Sequence, residues 1–362
     1  MSKLQLSVPQ IKEIHILQRT KEKLLGHNFL LFVTIVLFIV MYLAGLIVYK
    51  DKNFDNLQVF LNLLISNSGL IITAVGMTLV LIIGGIDISV GSVVAATCMM
   101  LAAMMERGNI GALPAILIVL LFGTVFGAVQ GWLIAYLKLQ PFIVTLAGMF
   151  FARGLTAVIS LEMITITNET FKNIAQYKIY LPFGGYLNRK GVMVYPYIYP
   201  TVILALIVLI LAFILLKYTK FGRTIYAVGG NEQSAMLMGL NVKRTKFIVY
   251  IINGFLTTLG GIAFCLNTMG AFVELAKGFE MEAIAATVIG GTPLTGGVGN
   301  VFGTLFGVLI KATIETFVSF QGNLSSWWSK IIIAALLAFF IMLQSLLVMR
   351  KNKKSRAKGL YV

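Results

Sequence analysis

Ionisable side chains inside apolar runs are the first candidates for chemistry in this 362-residue sequence. Lys311 and Glu315 are four residues apart in such a run, so they share a helix face and are predicted to pair. We interpret this pair as structural, with a gate as the alternative. Asp87 precedes an apolar helix predicted to start near Ser89, and we expect it to cap that helix and, at a buried glycine turn, to shape the pathway as well.

Uncharged hydrogen-bonding side chains recur within the second and seventh apolar runs. Such groups suit a lumen that carries a neutral polyol, and the alternative is hydrogen bonding between helices, worth about 0.6–2 kcal/mol per contact. We predict that a translocation path or its gate is lined by Asn67, Thr73, Asp87, Ser89, Thr145, Asn253 and Thr292.

The sequence also excludes several kinds of chemistry. Both histidines, His15 and His27, lie in the N-terminal segment, so no histidine metal site or catalytic triad is predicted in the apolar part, and we expect no metal. Cys98 and Cys265 lie in apolar runs and are expected to be inert core residues. The dipeptide Gly-Lys never occurs, so a Walker A phosphate loop is missing and the chain is not expected to be an enzyme that hydrolyses ATP.

The composition of the chain indicates what kind of structure positions these residues. Hydrophobic residues make up 59% of the chain and charged residues 12%, against roughly 45–50% and about 25% in soluble domains. We therefore predict an all-α polytopic membrane protein with about ten transmembrane helices, one or more of them broken. The predicted spans are 29–49, 58–83, 89–105, 112–137, 142–161, 198–217, 246–270, 282–296, 299–320 and 328–349.

The net charge of +16 is explained by topology, and nucleic acid is not expected as a partner. Lys and Arg concentrate in 1–27, 217–246 and 350–358, and ten crossings place all three stretches and both termini in the cytoplasm. This gives a cytoplasmic segment 1–27, a transmembrane domain 28–349 and a basic cytoplasmic tail 350–362. Within the first segment, 10–25 is predicted to be an amphipathic helix on the membrane surface, with a mobile basic tail as the alternative.

Two loops and one glycine-rich stretch are also predicted. The outer loop is about 162–197, and the inner loop is about 218–245, where Asn231 suits the start of a short helix and Gly239 its end. This short helix is either a docking element or an ordinary surface turn. The glycine-rich end of 282–296 predicts a discontinuous helix or a short crossing with a buried turn.

Two further features concern helix packing and the outer interface. Gly123, Gly127 and Gly131 repeat at intervals of four, a pattern that permits close helix packing. Arg153 lies far enough along its helix that we expect it to snorkel toward the outer interface.

Four stretches resemble, in order, the motifs of the sugar ABC transporter permeases of the ribose, xylose and arabinose type. They are 84–93 (GGIDISVGSV), 141–155, 221–239 and 283–299. Within that family the likeness is nearest to the galactofuranose-type permeases, as carried by 324–331, 146–154 and 164–168.

The resemblance implies a subunit of a bacterial inner-membrane importer for galactofuranose or a related pentose or hexose. It implies a second permease subunit, in a heterodimer or a homodimer, two ATP-binding subunits that use the ATP, and a periplasmic or surface sugar-binding protein. The chain itself is expected to bind no cofactor. A coupling helix that docks on the ATPase is implied at Gly230, Asn231, Glu232, Gln233, Ser234, Ala235, Met236 and Gly239. The alternative function is a stand-alone ion-coupled sugar carrier or channel.

Overall fold

The structure is a computed structural model that describes residues 28–187, 193–322, 325 and 327–359. The predicted amphipathic helix at 10–25 lies outside the described residues. The helices are α1 (Asn28–Val48), α2 (Leu57–Ser66), α3 (Ser68–Ile82), α4 (Val90–Glu106), α5 (Ala112–Ala135), α6 (Pro141–Ile159), α7 (Glu169–Gln176), α8 (Pro200–Tyr218), α9 (Lys220–Gly230), α10 (Glu232–Leu237), α11 (Val242–Thr268), α12 (Phe279–Ile289), α13 (Val301–Gln321) and α14 (Trp327–Gly359), with a short 3-10 turn at Lys50–Lys52.

Strands are confined to three short antiparallel pairs in the described part of the chain. Ile164–Thr165 pairs with Gly270–Ala271, Ile179–Tyr180 with Tyr197–Ile198, and Tyr186–Leu187 with Met193–Val194. The first pair joins the predicted outer loop to the segment that follows α11. The outer loop is thus a folded cap, which also contains α7.

The helices confirm the prediction of an all-α polytopic membrane protein. Among the described residues, α1, α5, α6, α8, α11 and α13 are each long and apolar enough to cross a bilayer. α2 and α3 together form a seventh candidate span, bent by 55°. Each of the ten predicted spans overlaps a helix, although 89–105 and 328–349 correspond to shorter apolar helices at Val90–Glu106 and Trp327–Leu343. α14 continues to Gly359, past the predicted boundary at 349.

Among the described residues, one of the predicted spans is a broken helix and another is half-length. The run 58–83, predicted as one span, breaks at Asn67, where α2 ends and α3 begins. The run 282–296 contains α12, whose 11 residues reach only about 16 Å, roughly half of the hydrocarbon core. After α12 the chain turns through Gly291, Gly296 and Gly297, which have φ values of +96°, +77° and +78°. The run therefore holds one half-length helix that ends in a glycine-rich turn, which agrees with the predicted break at this point.

Close helix contacts explain the glycine repeat in α5. A Cβ atom on Gly127 would lie 3.1 Å from the Cα of Gly254 in α11, and Gly254 in turn packs onto Gly123 and Gly127. Gly131 packs against Phe247 and Tyr250 in the same way. The predicted close packing is confirmed, and it brings α11 against both α5 and α3 in the centre of the molecule.

The guanidinium of Arg153, which is predicted to snorkel, contacts the backbone of a distant segment. Its Nη1 atom donates hydrogen bonds of 2.6 Å to the carbonyl oxygen of Val273 and 2.8 Å to that of Leu275. These carbonyls belong to the irregular segment that leads into α12, so the guanidinium satisfies backbone acceptors that have no helical partner. Arg153 therefore fixes the entry of the half-length helix.

Candidate translocation and coupling sites

Asp87 links the loop between α3 and α4 to the central helix α11. Its Oδ1 accepts hydrogen bonds from the backbone N–H of Ser89 at 2.8 Å and from the Ser89 hydroxyl at 2.6 Å. Its Oδ2 accepts one from Asn253 Nδ2 at 2.7 Å. Ser89 directly precedes α4. Asp87 accepts a hydrogen bond from the N–H of Ser89, two residues further on, which is a capping-type contact at the start of this helix. The carboxylate also joins this turn to α11.

Two further helices complete this buried polar cluster. From α5, Gln130 Nε2 donates to the Ser89 hydroxyl at 3.0 Å, and from α6, Thr145 Oγ1 accepts from the N–H of Ile88 at 3.3 Å. The sequence analysis missed Gln130, although it is the one amide side chain in the apolar sequence of α5 and could have been noticed for that reason. Of the residues predicted to line the path, the structure brings together Asp87, Ser89, Thr145 and Asn253, all of them buried.

The other predicted path residues lie elsewhere. Thr73 donates to the carbonyl of Gly69 in its own helix at 3.0 Å, which is a structural contact. Thr292 is buried beside Gly299, and its hydroxyl has no hydrogen-bond partner within the described residues. Asn67 belongs to a second cluster.

The second cluster surrounds Lys311 of α13. Its ammonium contacts Glu315 Oε1 at 2.8 Å, Glu282 Oε2 at 3.0 Å and Asn67 Oδ1 at 3.2 Å. The predicted pairing of Lys311 with Glu315 is confirmed, and the sequence analysis missed Glu282 because α12 supplies it from 29 positions upstream of Lys311. The three contacts occupy the three N–H donors of the ammonium, as a buried cation requires.

The short helix in the inner loop has the predicted caps. Asn231 Oδ1 accepts a hydrogen bond from the N–H of Ser234 at 2.8 Å, and Gly239 has a φ of +79° just past the end of α10. Ala235 is buried beneath the helix, whereas Met236, Leu237 and Met238 are exposed, Leu237 by 90%. α10 therefore presents an apolar tip that lacks a partner within the described part of this chain.

A set of contacts connects α9, the helix before α10, to the end of α3 and to the glycine-rich loop after α12. The N–H of Gly297 donates to the carbonyl of Ile82, the last residue of α3, at 2.8 Å. The Tyr226 hydroxyl of α9 donates to the carbonyl of Gly299 at 2.8 Å, and burial raises the pKa of this phenol. Gly229 packs directly onto Ile82 and Gly297, because a Cβ atom there would lie 2.7 Å from Gly297 N. We call this set of contacts between α9, Ile82 and 297–299 the coupling seam.

The Asp87 cluster, the Lys311 cluster and the coupling seam lie in different parts of the structure. The Asp87 cluster fixes the turn before α4. The Lys311 cluster joins the break between α2 and α3 to α12, and the coupling seam lies behind the exposed apolar tip of α10. Within the described residues, no group of three or more His, Cys, Asp and Glu side chains is arranged to hold a metal ion. Cys98 and Cys265 are buried free thiols.

A family model and several known proteins are similar to the chain. The model described as the permease component of the branched-chain amino acid transport system matches residues 59–341. The inner membrane ABC transporter permease protein YjfF of Escherichia coli K12 is 41% identical over 333 residues, which cover 92% of this chain and 97% of that protein.

Two other relatives have names that state a sugar. The fructose import permease FruG of Bifidobacterium longum is 36% identical, covering 88% of this chain and 92% of that protein. The ribose import permease RbsC of Escherichia coli K12 is 34% identical, covering 84% of this chain and 90% of that protein. No solved structure matches the chain.

Proposed function

Because the chain belongs to the permease family of the sugar ABC importers, we propose that it forms part of the translocation path of an ATP-driven monosaccharide importer. The relatives are permease subunits, and the Gly-Lys dipeptide of a phosphate loop is missing from the sequence. The energy for transport is therefore supplied by separate ATP-binding subunits.

The coupling seam is the observation that carries this proposal. An exposed apolar tip on α10 is the surface that a partner protein would cover, since exposed apolar patches mark interaction sites. Behind this tip, the Gly229 backbone of α9 packs on Ile82 and Gly297, and the Tyr226 hydroxyl of α9 donates to the carbonyl of Gly299. A push on the tip is transmitted through these contacts to α3, and through the loop after α12 to α13. In this proposal Gly230 to Met236 and Gly239 form the coupling element that sits on the ATPase.

The remaining architecture follows from the same proposal. A second permease subunit, identical or different, completes the path, two ATP-binding subunits bind the α10 side, and a binding protein delivers sugar to the folded outer cap. Both termini and the α9–α10 loop then face the cytoplasm, where Lys and Arg are enriched. The Asp87 cluster lies next to the seam in sequence, with Asp87 five residues after Ile82, and acts in the gate that the seam controls.

The proposed substrate is galactofuranose or a related pentose or hexose. The resemblance of 146–154 and 324–331 to galactofuranose-type permeases favours the first, and the ribose and fructose importers among the relatives favour the wider class. Uncharged polar side chains dominate the buried polar positions, which suits a neutral sugar.

The test is uptake by membrane vesicles that contain the chain together with its partner permease, ATPase and binding protein. Radiolabelled galactose, ribose, arabinose and fructose are supplied, with galactofuranose prepared separately. ATP-dependent accumulation of one of these sugars is expected. Accumulation by the isolated chain on a sodium or proton gradient, without nucleotide, would establish the ion-coupled carrier instead.

A further inference from the structure

The Lys311 cluster lies at mid-membrane depth. Lys311 is ten residues after Val301, the first residue of α13, which places it about 15 Å along a helix that crosses roughly 30 Å of hydrocarbon. Asn67 and Glu282 contact its ammonium, so the break between α2 and α3 and the first turn of α12 lie at the same depth. The break between α2 and α3 and the half-length helix α12 therefore meet at one charged residue near the bilayer midplane.

Discontinuous helices at this depth are characteristic of substrate sites. Irregular backbone inside a membrane is tolerated where it is buried in protein or faces a water-filled cavity. Transporters place their substrates near the midplane at such broken helices. The position of the cluster therefore points to a ligand independently of its charges.

The carboxylates of the cluster are only partly used by the protein. Lys311 is bonded to Glu282 Oε2 and Glu315 Oε1, which leaves Glu282 Oε1 and Glu315 Oε2 without a partner among the described residues. The Lys311 side chain is 8% exposed, whereas the Glu282 side chain is 27% exposed and the Glu315 side chain is 40% exposed. The cation is thus buried behind two acceptor groups that remain open on their outer side.

Hydrocarbon cannot cover these open oxygens. A charged side chain at the bilayer centre costs roughly 2.5 kcal/mol or more and normally faces a bundle interior or a watery cavity. The face that presents Glu282 and Glu315 must therefore be lined by water, a ligand or protein. Carboxylate oxygens are strong acceptors for hydroxyl groups, and their hydrogen bonds are roughly twice as strong as neutral ones.

We propose that Glu282 and Glu315 accept hydrogen bonds from the hydroxyl groups of the sugar as it passes the bilayer midplane, with Lys311 as the residue that positions both carboxylates. This rests on the proposed importer function. One ammonium against two carboxylates leaves an excess of one negative charge, which suits a neutral polyol and disfavours sugar phosphates and uronic acids. Asn67 holds the ammonium from the helix break, so the site is tied to the junction of α2 and α3.

Thiol labelling in the assembled transporter tests whether this face is open to water. The variants Glu282→Cys and Glu315→Cys are treated with a charged, membrane-impermeant methanethiosulfonate reagent in vesicles that contain all partner subunits. The native Cys98 and Cys265 are fully buried, so their background labelling is low. Thr313→Cys is the matched control, because Thr313 is fully buried on the same helix.

The proposal predicts labelling of both glutamate positions, no labelling at Thr313→Cys, and slower labelling when the sugar that wild type accumulates is transported. Absence of labelling at both glutamate positions would overturn it. Cross-linking of the Glu315→Cys variant to the second permease subunit would assign this face to the subunit interface and would overturn it as well.

Uptake kinetics give a second, independent readout. Glu282→Gln and Glu315→Gln keep the side-chain size and remove the charge, and each is expected to lower sugar uptake about tenfold, since a charge-assisted hydrogen bond is lost. Glu274→Gln is the control, because Glu274 pairs with Lys277 at 2.7 Å on an exposed loop. Normal uptake by the Gln variants in a working transporter refutes this site alone, whereas a wild-type complex that takes up no sugar refutes the proposed function.

Discussion

Replacing Gly229 with alanine is the sharpest test of the coupling seam. A Cβ atom at this position would overlap the carbonyl oxygen of Ile82, and it would lie 2.7 Å from Gly297 N and 2.8 Å from the carbonyl carbon of Ile82. Non-bonded carbon contacts are optimal at about 3.5–4.0 Å. Relief of the contact with Gly297 alone needs a separation of roughly 0.8 Å, and the overlap with the Ile82 oxygen needs more. All the obstructing atoms belong to the backbone, which cannot rotate away as a flexible side chain would.

The expected magnitude follows from two opposing terms. Overpacking of this kind costs about 1–3 kcal/mol, while alanine gains up to about 1 kcal/mol over glycine within a helix. A net cost of about 1–2 kcal/mol reduces the population of the closed seam by a factor of about 5–30. We therefore expect ATP-dependent sugar uptake to fall by a similar factor, with ATP hydrolysis by the partner subunits retained.

The matched control is Gly154→Ala in α6. Gly154 is also helical, but no atom lies within 4 Å of its ideal Cβ position, and its backbone conformation suits any residue. This variant should keep wild-type uptake and equal or slightly higher thermal stability. Both variants are assayed in the same vesicles for uptake and for ATPase rate. Wild-type uptake by the Gly229→Ala transporter would refute the idea that the seam transmits the motion.

Three further predictions concern the tip, the core and the outer cap. Leu237→Asp places a charge on the exposed tip of α10, so co-purification of the ATPase subunit should be lost while the thermal midpoint of the chain is retained. Gly127→Ala forces α5 away from α11 and should destabilise the chain by about 1–3 kcal/mol, measured as a lower midpoint in thermal unfolding. Burial alone would raise the pKa of Glu106, but hydrogen bonds from the Thr167 hydroxyl and from the N–H groups of Thr167 and Asn168 outweigh it and lower the pKa. Because a lowered pKa stabilises the fold above the ordinary carboxyl pKa and loses that contribution as pH falls through the shifted value, the cap should become more sensitive to protease only in acid. Glu106→Gln should remove this pH dependence.

The sequence predicted those features that depend on local patterns. Apolar runs placed the long helices, because a span needs about 20 apolar residues whatever surrounds it. Asn231 and Gly239 predicted α10, because a side-chain cap and a left-handed terminal glycine are local requirements. The glycine repeat in α5 predicted close packing without identifying the partner helix.

The features that were missed depend on contacts between distant segments. The break at Asn67 lies in the polar run 66–69, but the partner of Asn67, Lys311, lies 244 residues away. Asp87 preceded a helix, as a capping residue does, yet its second oxygen bonds to Asn253, 166 residues away. Arg153 seemed free to reach the interface because the acceptors it meets are backbone carbonyls of the segment before α12, which have no sequence signature.

The central claim is that the chain moves sugar only when separate subunits hydrolyse ATP. The most direct measurement compares vesicles that contain the complete transporter with vesicles that contain the chain alone, each loaded with ATP or with a non-hydrolysable analogue and each treated with ionophores. We predict accumulation of labelled monosaccharide only with the complete transporter and hydrolysable ATP, and no effect of the ionophores. Accumulation by the chain alone that ionophores abolish would contradict the account.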